Sequence, residues 1–281
     1  MSVINPNQKI TCATCFYRCA LAEGQVGQCR ARANKNGSIV PLNYGMLTSL
    51  SLDPIEKKPL YLFYPDSMIL SAGSFGCNLH CPFCQNASIS QVGDDAATEY
   101  VSPEMLAQKA EEFARCGNIG VAFTYNEPLI SWEYVRDASL LVHERGMKNV
   151  VVTSGSVNVS VLEEVLPHID AMNIDLKGFT DSWYKKLGGD FEIVKNAITL
   201  CQSRTHVELT TLIVPHFNDS ENEMRELARW VSKIDANIPL HITRFFPRYL
   251  MADGEPTPVA TVRRLAQVAR EYLLHVFTGN C

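Results

Sequence analysis

No stretch of the 281 residues approaches the roughly 18 uninterrupted apolar residues that a membrane-crossing helix requires. A helical integral membrane protein is therefore not expected. Positive charge is also scarce: 25 Lys and Arg face 30 Asp and Glu, for a net charge of -5. That is the wrong sign for gripping nucleic acid through bulk charge, and leaves room only for a local basic groove. The opening residues MSVINPNQKI lack the basic start and apolar run of an export signal, so a cytoplasmic location is expected. Repeats at solenoid spacing and low-complexity tracts are missing too, which excludes a modular array. With 46% hydrophobic and 20% charged residues, the composition is that of a chain that buries a full core. At roughly 100 to 200 residues per domain, one large domain with an appendage is expected.

What is plentiful is cysteine. Ten are present, and seven fall in two tight groups. In a reducing compartment, clustered cysteines are far more often metal ligands or catalytic groups than disulfides.

From Met68 onward, short apolar runs rich in branched residues alternate with amphipathic stretches, the rhythm of repeated strand-helix units. Strands are expected at 68–73, 119–125, 148–154, 171–177, 206–214 and 239–245. The clearest helix is 221–234, where Met224, Leu227, Ala228, Val231 and Ile234 recur at helical spacing. Crossover helices force parallel pairing, and a run of such units curls into an open or partial barrel. The expected fold is therefore α/β, a partial (β/α)6 barrel spanning 67–281, with a cysteine-rich amino-terminal unit at 1–66. Sites in such folds gather at the carboxyl ends of the strands.

Just past the first of these strands come Cys77, Cys81 and Cys84, three thiols in one short loop. Thiolates suit soft metals, and such a loop can wrap several irons of one cluster while leaving one iron open. A zinc loop short of its fourth ligand is the plainer alternative. The pattern CxxxCxxC, with Phe83 before the last cysteine, resembles the radical S-adenosylmethionine (SAM) superfamily. The resemblance implies a 4Fe-4S cluster on these cysteines, whose open iron is chelated by SAM. Reductive cleavage then yields a 5′-deoxyadenosyl radical that abstracts a hydrogen atom from a substrate.

The other strand ends extend the resemblance. Glu127 stands where many superfamily members end a Gly-Gly-Glu motif that meets the SAM amine, but Tyr125 and Asn126 replace the glycines. A solvated acid at a helix start is the bland reading of Glu127. Strand alternation puts Asn173, Asp175 and Lys177 on one face, with Ile174 and Leu176 on the other. The Asp175–Lys177 placement is similar to that in activating enzymes of glycyl-radical systems; a structural ion pair is the alternative. The resemblance thus implies cofactor contacts from Phe83 to adenine, from Asn126 or Glu127 to the SAM amine, and from Asp175 and Lys177 to its carboxylate or ribose. Thr153 and Ser154, at the third strand end, join them.

The segments DPIEKKPL (53–60), SAGSFGCNLHCPFCQN (71–86), TYNEP (124–128), DLKGF (175–179), TTLIVPHFND (210–219), HITRFFP (241–247) and TPVATVRRLAQVA (257–269) occur in order over nearly the whole chain. Together they resemble the radical SAM component of the AmmeMemoRadiSam system, a branch similar to pyruvate formate-lyase activating enzymes. This implies Memo-like and AMMECR-like partner proteins, a flavodoxin or ferredoxin reductant, and a protein as one candidate substrate. Three positions depart from that pattern: His216 replaces a common glycine, Ser154-Gly155 an asparagine-glycine turn, and Arg248 an acid. His241 and Arg244 are expected near the substrate end, on opposite strand faces, so not both. Lys57 and Lys58 read as a solvated basic pair, with an anion-binding role as the alternative.

Near the start, Cys12, Cys15, Cys19 and Cys29 make a second set, which could saturate either zinc or a further Fe-S cluster. Cys116 and Cys201 read as small buried hydrophobes. The competing functions are a glycyl-radical-enzyme activase and a metal-binding interaction module without chemistry.

Overall fold

The computed structural model describes residues 9–281. The stretch 1–8, most of the opening in which no export signal is expected, lies outside the described residues. Four short strands come first: β1 (Ile10–Thr11), β2 (Ala20–Leu21), β3 (Arg32–Lys35) and β4 (Ser38–Pro41), paired as two antiparallel hairpins. Then follow β5 (Met46–Pro54), β6 (Met68–Ser74), α1 (Ala87–Ser90), β7 (Glu99–Tyr100), α2 (Pro103–Glu112), β8 (Asn118–Thr124) and α3 (Trp132–Glu144). The remainder runs β9 (Lys148–Thr153), α4 (Val159–Val165), β10 (Ala171–Asp175), α5 (Asp181–Lys186), α6 (Phe191–Gln202), β11 (His206–Ile213), α7 (Glu221–Asp235), β12 (Leu240–Arg244), α8 (Val259–Arg270) and β13 (Val276–Gly279).

One nine-stranded sheet holds the fold, in the order β13-β12-β11-β10-β9-β8-β6-β5-β7. From β6 to β13 every pairing is parallel, while β5 lies antiparallel to β6, and β7 to β5. The sheet is the open, partial barrel expected, without closure among the described residues. It contains more than the six expected strands. The addition of β13, a four-residue strand, extends one edge, and β5 and β7 extend the other. Residues 46–54, which the sequence reading grouped with the amino-terminal unit, are thus hydrogen-bonded into the main sheet as β5.

Strand alternation decides what each face does. The outer positions of the parallel strands, such as Val121, Phe123, Met172, Ile174, Leu209, Leu240 and Ile242, are fully buried under the helices. Helix α7 shows the matching half of this packing. Ser220 accepts a hydrogen bond from Glu223 N, Glu221 and Glu223 sit in the first turn, and Met224, Leu227, Ala228 and Val231 are buried. Each large apolar side chain so buried contributes roughly 1.5–3 kcal/mol. The inner face is polar by contrast: Asp53, Ser71, Asn173, Glu208, Thr210 and His241 are all buried there. Polar side chains inside a barrel are costly unless bonded or used.

The segment after β5 turns into the barrel and closes its floor. Ile55, Leu60 and Phe63 pack with Ile69, Ala122, Val150 and Ala171 near the amino ends of the strands. Glu208 anchors this plug, accepting from Tyr61 N at 3.0 Å, Leu62 N at 2.8 Å, His206 Nε2 at 3.0 Å and His241 Nε2 at 2.6 Å. His241 therefore belongs to the barrel floor, not to the substrate end where the sequence reading put it. Asn173 Nδ2 adds a bond to Pro59 O at 2.8 Å.

Candidate functional site

The cysteine loop emerges from the carboxyl end of β6, and its entry depends on one glycine. Gly76 has φ +83°, and a Cβ there would lie 2.6 Å from Cys29 O. Cys77 N donates to that same carbonyl at 3.2 Å. The first cysteine group is thus docked on the backbone that opens the second. Asn126 braces the entry from β8: its Nδ2 donates to Phe75 O and Gly76 O, and its Oδ1 accepts from Ser74 N. Asn86, two residues past Cys84, donates to Tyr125 O at 2.8 Å.

Cys77, Cys81 and Cys84 are free thiols in an apolar wall formed by Leu79, Phe83, Trp183, Leu187, Val214 and Phe245. Burial, with Glu127 nearby, pushes the Cys77 thiol well above its ordinary value. Burial pushes Cys81 up to about 11. Thiols in this state give up their protons only to a cation that replaces them, so loading such a site releases protons. Cys77 Sγ accepts from Leu79 N at 3.4 Å, and Cys84 Sγ lies 3.2 Å from Ser90 Oγ. Three soft donors in a buried, apolar loop, with a carboxylate and a cation at its edges, fit an iron-sulfur cluster by donor chemistry. Among the described residues, no three His, Cys, Asp or Glu side chains gather as the shell of a single metal ion.

At the end of β10, Asp175 and Lys177 form an ion pair at 2.9 Å beside Cys81. Burial works against the charge on Lys177, but Asp175 and Cys81 together outweigh it and raise the Lys177 pKa. The backbone of Lys177 is fixed on both sides. Its N–H donates to Tyr184 OH, and its carbonyl accepts from Trp183 Nε1 at 2.8 Å and Asn218 Nδ2 at 2.9 Å. Ile174 and Leu176 face the core, as alternation requires. Phe83 stacks on Trp183 with ring centroids 5.9 Å apart and meets Phe245 edge-on at 6.4 Å.

Glu127 is buried rather than solvated, and its carboxylate is fully engaged. Oε1 accepts from Thr153 Oγ1 at 2.7 Å and Leu129 N at 3.1 Å; Oε2 accepts from Ser154 N at 2.8 Å and Ser154 Oγ at 2.7 Å. The residues expected as SAM contacts at β8 and β9 therefore hold one another, locking two strand ends beside Cys77. Burial raises the Glu127 pKa, and these four donors oppose the rise.

The first cysteine group is compact. Cys12, Cys15 and Cys29 are buried, Cys12 N donates to Cys19 O at 2.9 Å, and burial pushes Cys15 up to about 11. Arg32, which pairs with Glu133 at 2.7 Å, places its charge near Cys12 and Cys29. Other expectations change. Cys201 is buried, but Cys116 is exposed. His216 is exposed at φ +67°, the backbone region that favours glycine. Arg244 donates Nε–H to Thr257 O at 2.6 Å, and Arg248 is exposed. Lys57 is solvated, its side chain 65% exposed, but Lys58 is 2% exposed and is not a solvated base.

The sequence reading missed Tyr125 and Asp53. Tyr125 has φ +74°, which turns its ring inward over Gly73, and its hydroxyl donates to Asp53 Oδ2 at 2.7 Å. The signal was present in TSLSLDP, whose polar residues alternate as an inner strand face would.

Comparison with known proteins gives four findings. Residues 73–231 match the family model described as the Radical SAM superfamily. A protein of Methanocaldococcus jannaschii described as uncharacterized is 37% identical over 278 residues, 98% of this chain and 82% of that protein. The pyruvate formate-lyase-activating enzyme of Clostridium pasteurianum is 29% identical over 165 residues, 57% of this chain and 67% of that enzyme. Among solved structures, Streptococcus suis SuiB bound to its precursor peptide SuiA shares the fold, with a TM-score of 0.59 at 15% identity over 74% of this chain and 47% of SuiB.

Proposed function

The chain belongs to the radical SAM superfamily, and from that premise we propose that it is an enzyme whose Cys77, Cys81 and Cys84 hold a 4Fe-4S cluster for the reductive cleavage of SAM. When bound, the cluster and SAM supply one electron and a 5′-deoxyadenosyl radical that takes a hydrogen atom from the substrate. The observation that carries this reading is the set of three thiols at the carboxyl end of β6, facing the Asp175–Lys177 pair at the end of β10.

The chain's own residues then have distinct tasks. The Phe83 ring, backed by Trp183 and Phe245, offers adenine an apolar wall. Lys177, kept charged by Asp175, holds the SAM carboxylate or ribose side. Glu127 and Asn126 act as positioning residues: one locks Thr153 and Ser154, the other the entry to the cysteine loop. The apolar wall keeps water away from the reacting atoms. Cys12, Cys15, Cys19 and Cys29, which precede β5, are the candidate ligands of a separate site; since no three of them gather as the shell of a single ion among the described residues, a second cluster is the reading to test before zinc.

A flavodoxin or ferredoxin supplies the electron. Similarity to activating enzymes favours a protein as substrate. The resemblance of the ordered segments to the AmmeMemoRadiSam component makes Memo-like and AMMECR-like proteins the partners to try first. Similarity to activating enzymes also supports a second reading, an activase that installs a glycyl radical. A glycine-centred EPR doublet on a partner, with stoichiometric 5′-deoxyadenosine, would select that reading. For the reaction itself, anaerobically reconstituted protein is reduced with dithionite and given SAM. The expected result is 5′-deoxyadenosine; a well-formed, reducible cluster that leaves SAM intact would reduce the protein to a metal-binding module.

A further inference from the structure

The two cysteine groups are fastened to each other, a proximity that none of these tasks uses. Asn158, just before α4, pins the first group to the barrel: its Nδ2 donates to Ala13 O at 2.6 Å and its N–H to Thr14 O at 3.0 Å. At the other end of that group, Cys29 O accepts from Cys77 N at 3.2 Å. The next residue of the loop, Asn78, is fully buried; its Nδ2 donates to Ser156 O at 2.7 Å, and its side chain reaches the Cys15 thiol, where it favours the thiolate. Tyr17 stands between the groups. Its hydroxyl donates to Gly188 O at 2.8 Å, and Cys15, Cys19 and Cys77 all push its pKa up.

The groups differ in what they can offer a ligand. Three thiols leave one iron of a cluster open to SAM, whereas four complete every corner. A cluster so saturated has no place for a substrate and is left to hold and pass an electron. Cys12, Cys15 and Cys29 are buried, but Cys19 is partly exposed and Arg18 beside it is exposed. Over residues 9–35 the exposed charges are Lys9, Arg18 and Lys35 against a single acid, Glu23. In a chain of net charge -5 this is a local basic face, and it complements an acidic partner.

We infer that Cys12, Cys15, Cys19 and Cys29 hold a relay cluster: an acidic one-electron carrier docks over Arg18 and Cys19, and its electron reaches the second group through the Cys29–Cys77 and Cys15–Asn78 contacts. The inference rests on the second-cluster reading of the first group and on the radical SAM reading of the other. The carrier is oxidised by one electron and the Cys77 cluster is reduced by one; in the transfer no bond forms or breaks and no proton moves. A clasp that only fastens the amino-terminal segment is the plain alternative, and electrons would bypass it.

The test follows the reconstituted full chain by metal analysis and by freeze-quench EPR after mixing with flavodoxin hydroquinone or, separately, with dithionite. About eight irons per chain are expected, roughly four for each cluster. With flavodoxin, a cluster signal indifferent to SAM should rise first and the SAM-sensitive signal after it. Cys12→Ala should lose the first signal, and flavodoxin should then reduce the remaining cluster far more slowly than dithionite does. Should Cys12→Ala not fold, Arg18→Glu alters only a surface charge, and the ratio of flavodoxin-driven to dithionite-driven reduction should fall roughly tenfold at low salt. Zinc in place of iron on the first group, a SAM-sensitive signal that rises first, or an undiminished ratio in the variants would each overturn the proposal. A dithionite-reduced wild type that leaves SAM intact would instead count against the radical SAM reading, and is scored separately.

Discussion

Replacing Glu208 by glutamine tests whether the barrel floor is held by one buried charge. The side chain has no solvent exposure and receives two backbone and two imidazole donors. Burial alone would raise its pKa, but His206, His241 and the amides of Tyr61 and Leu62 bring it down to about 2 from an ordinary 4.5. At ~1.36 kcal/mol per unit, that difference is worth about 3 kcal/mol. In Glu208→Gln, one carboxylate oxygen becomes an amide nitrogen and faces a backbone N–H that has no other partner. The folded-state pKa lies below the unfolded value of ~4.3, so the charge stabilises the fold above that pH and the contribution is lost as pH falls toward 2. Urea unfolding of both proteins at pH 7, 5, 4 and 3 is the assay. The variant should be less stable by about 3 kcal/mol at pH 7 and 5, with the gap closing by roughly 1.4 kcal/mol per unit below pH 4. A gap under about 1 kcal/mol at pH 7, or one that does not change between pH 4 and 3, would refute the reasoning.

Three further outcomes are expected. Asn126→Ala leaves the carbonyls of Phe75 and Gly76 without that donor, and should cost about 1–3 kcal/mol. Reconstituted protein should then lose iron to a chelator several-fold faster than the wild type. Gly73→Ala drives a methyl into Ser49 Oγ and the Tyr125 ring, and urea unfolding should show a loss of about 1–3 kcal/mol. His216→Gly relieves a left-handed backbone on an exposed residue, and should raise stability by roughly 0.5–1 kcal/mol in the same assay.

The strands that carry the site were legible because period-2 alternation and branched residues mark them, and each expected strand occurs within a residue or two of its place. The cysteine loop and the Asp175–Lys177 pair were legible for the same reason: strand ends and spacing fix where such residues emerge. By contrast, β13 spans Val276–Gly279, too short to show a period, and β7 is a two-residue edge. The burial of Lys58 was invisible because DPIEKKPL has neither strand nor helix periodicity; its path into the barrel is set by distant Glu208 and Asn173. His241 was misplaced because alternation gives the face of a strand but not the height along the barrel. Glu127 lay where expected, yet its partners Thr153 and Ser154 come from the next strand, and only the sheet order brings them together.

The most direct test of the central claim compares the EPR spectra of dithionite-reduced wild type, Cys81→Ala and Cys12→Ala after anaerobic reconstitution, each with and without SAM. A cluster signal that SAM shifts in the wild type and in Cys12→Ala, and that disappears in Cys81→Ala, is the predicted result. Equal loss in both variants, or a wild-type signal indifferent to SAM, would contradict the assignment of the SAM-binding cluster to Cys77, Cys81 and Cys84.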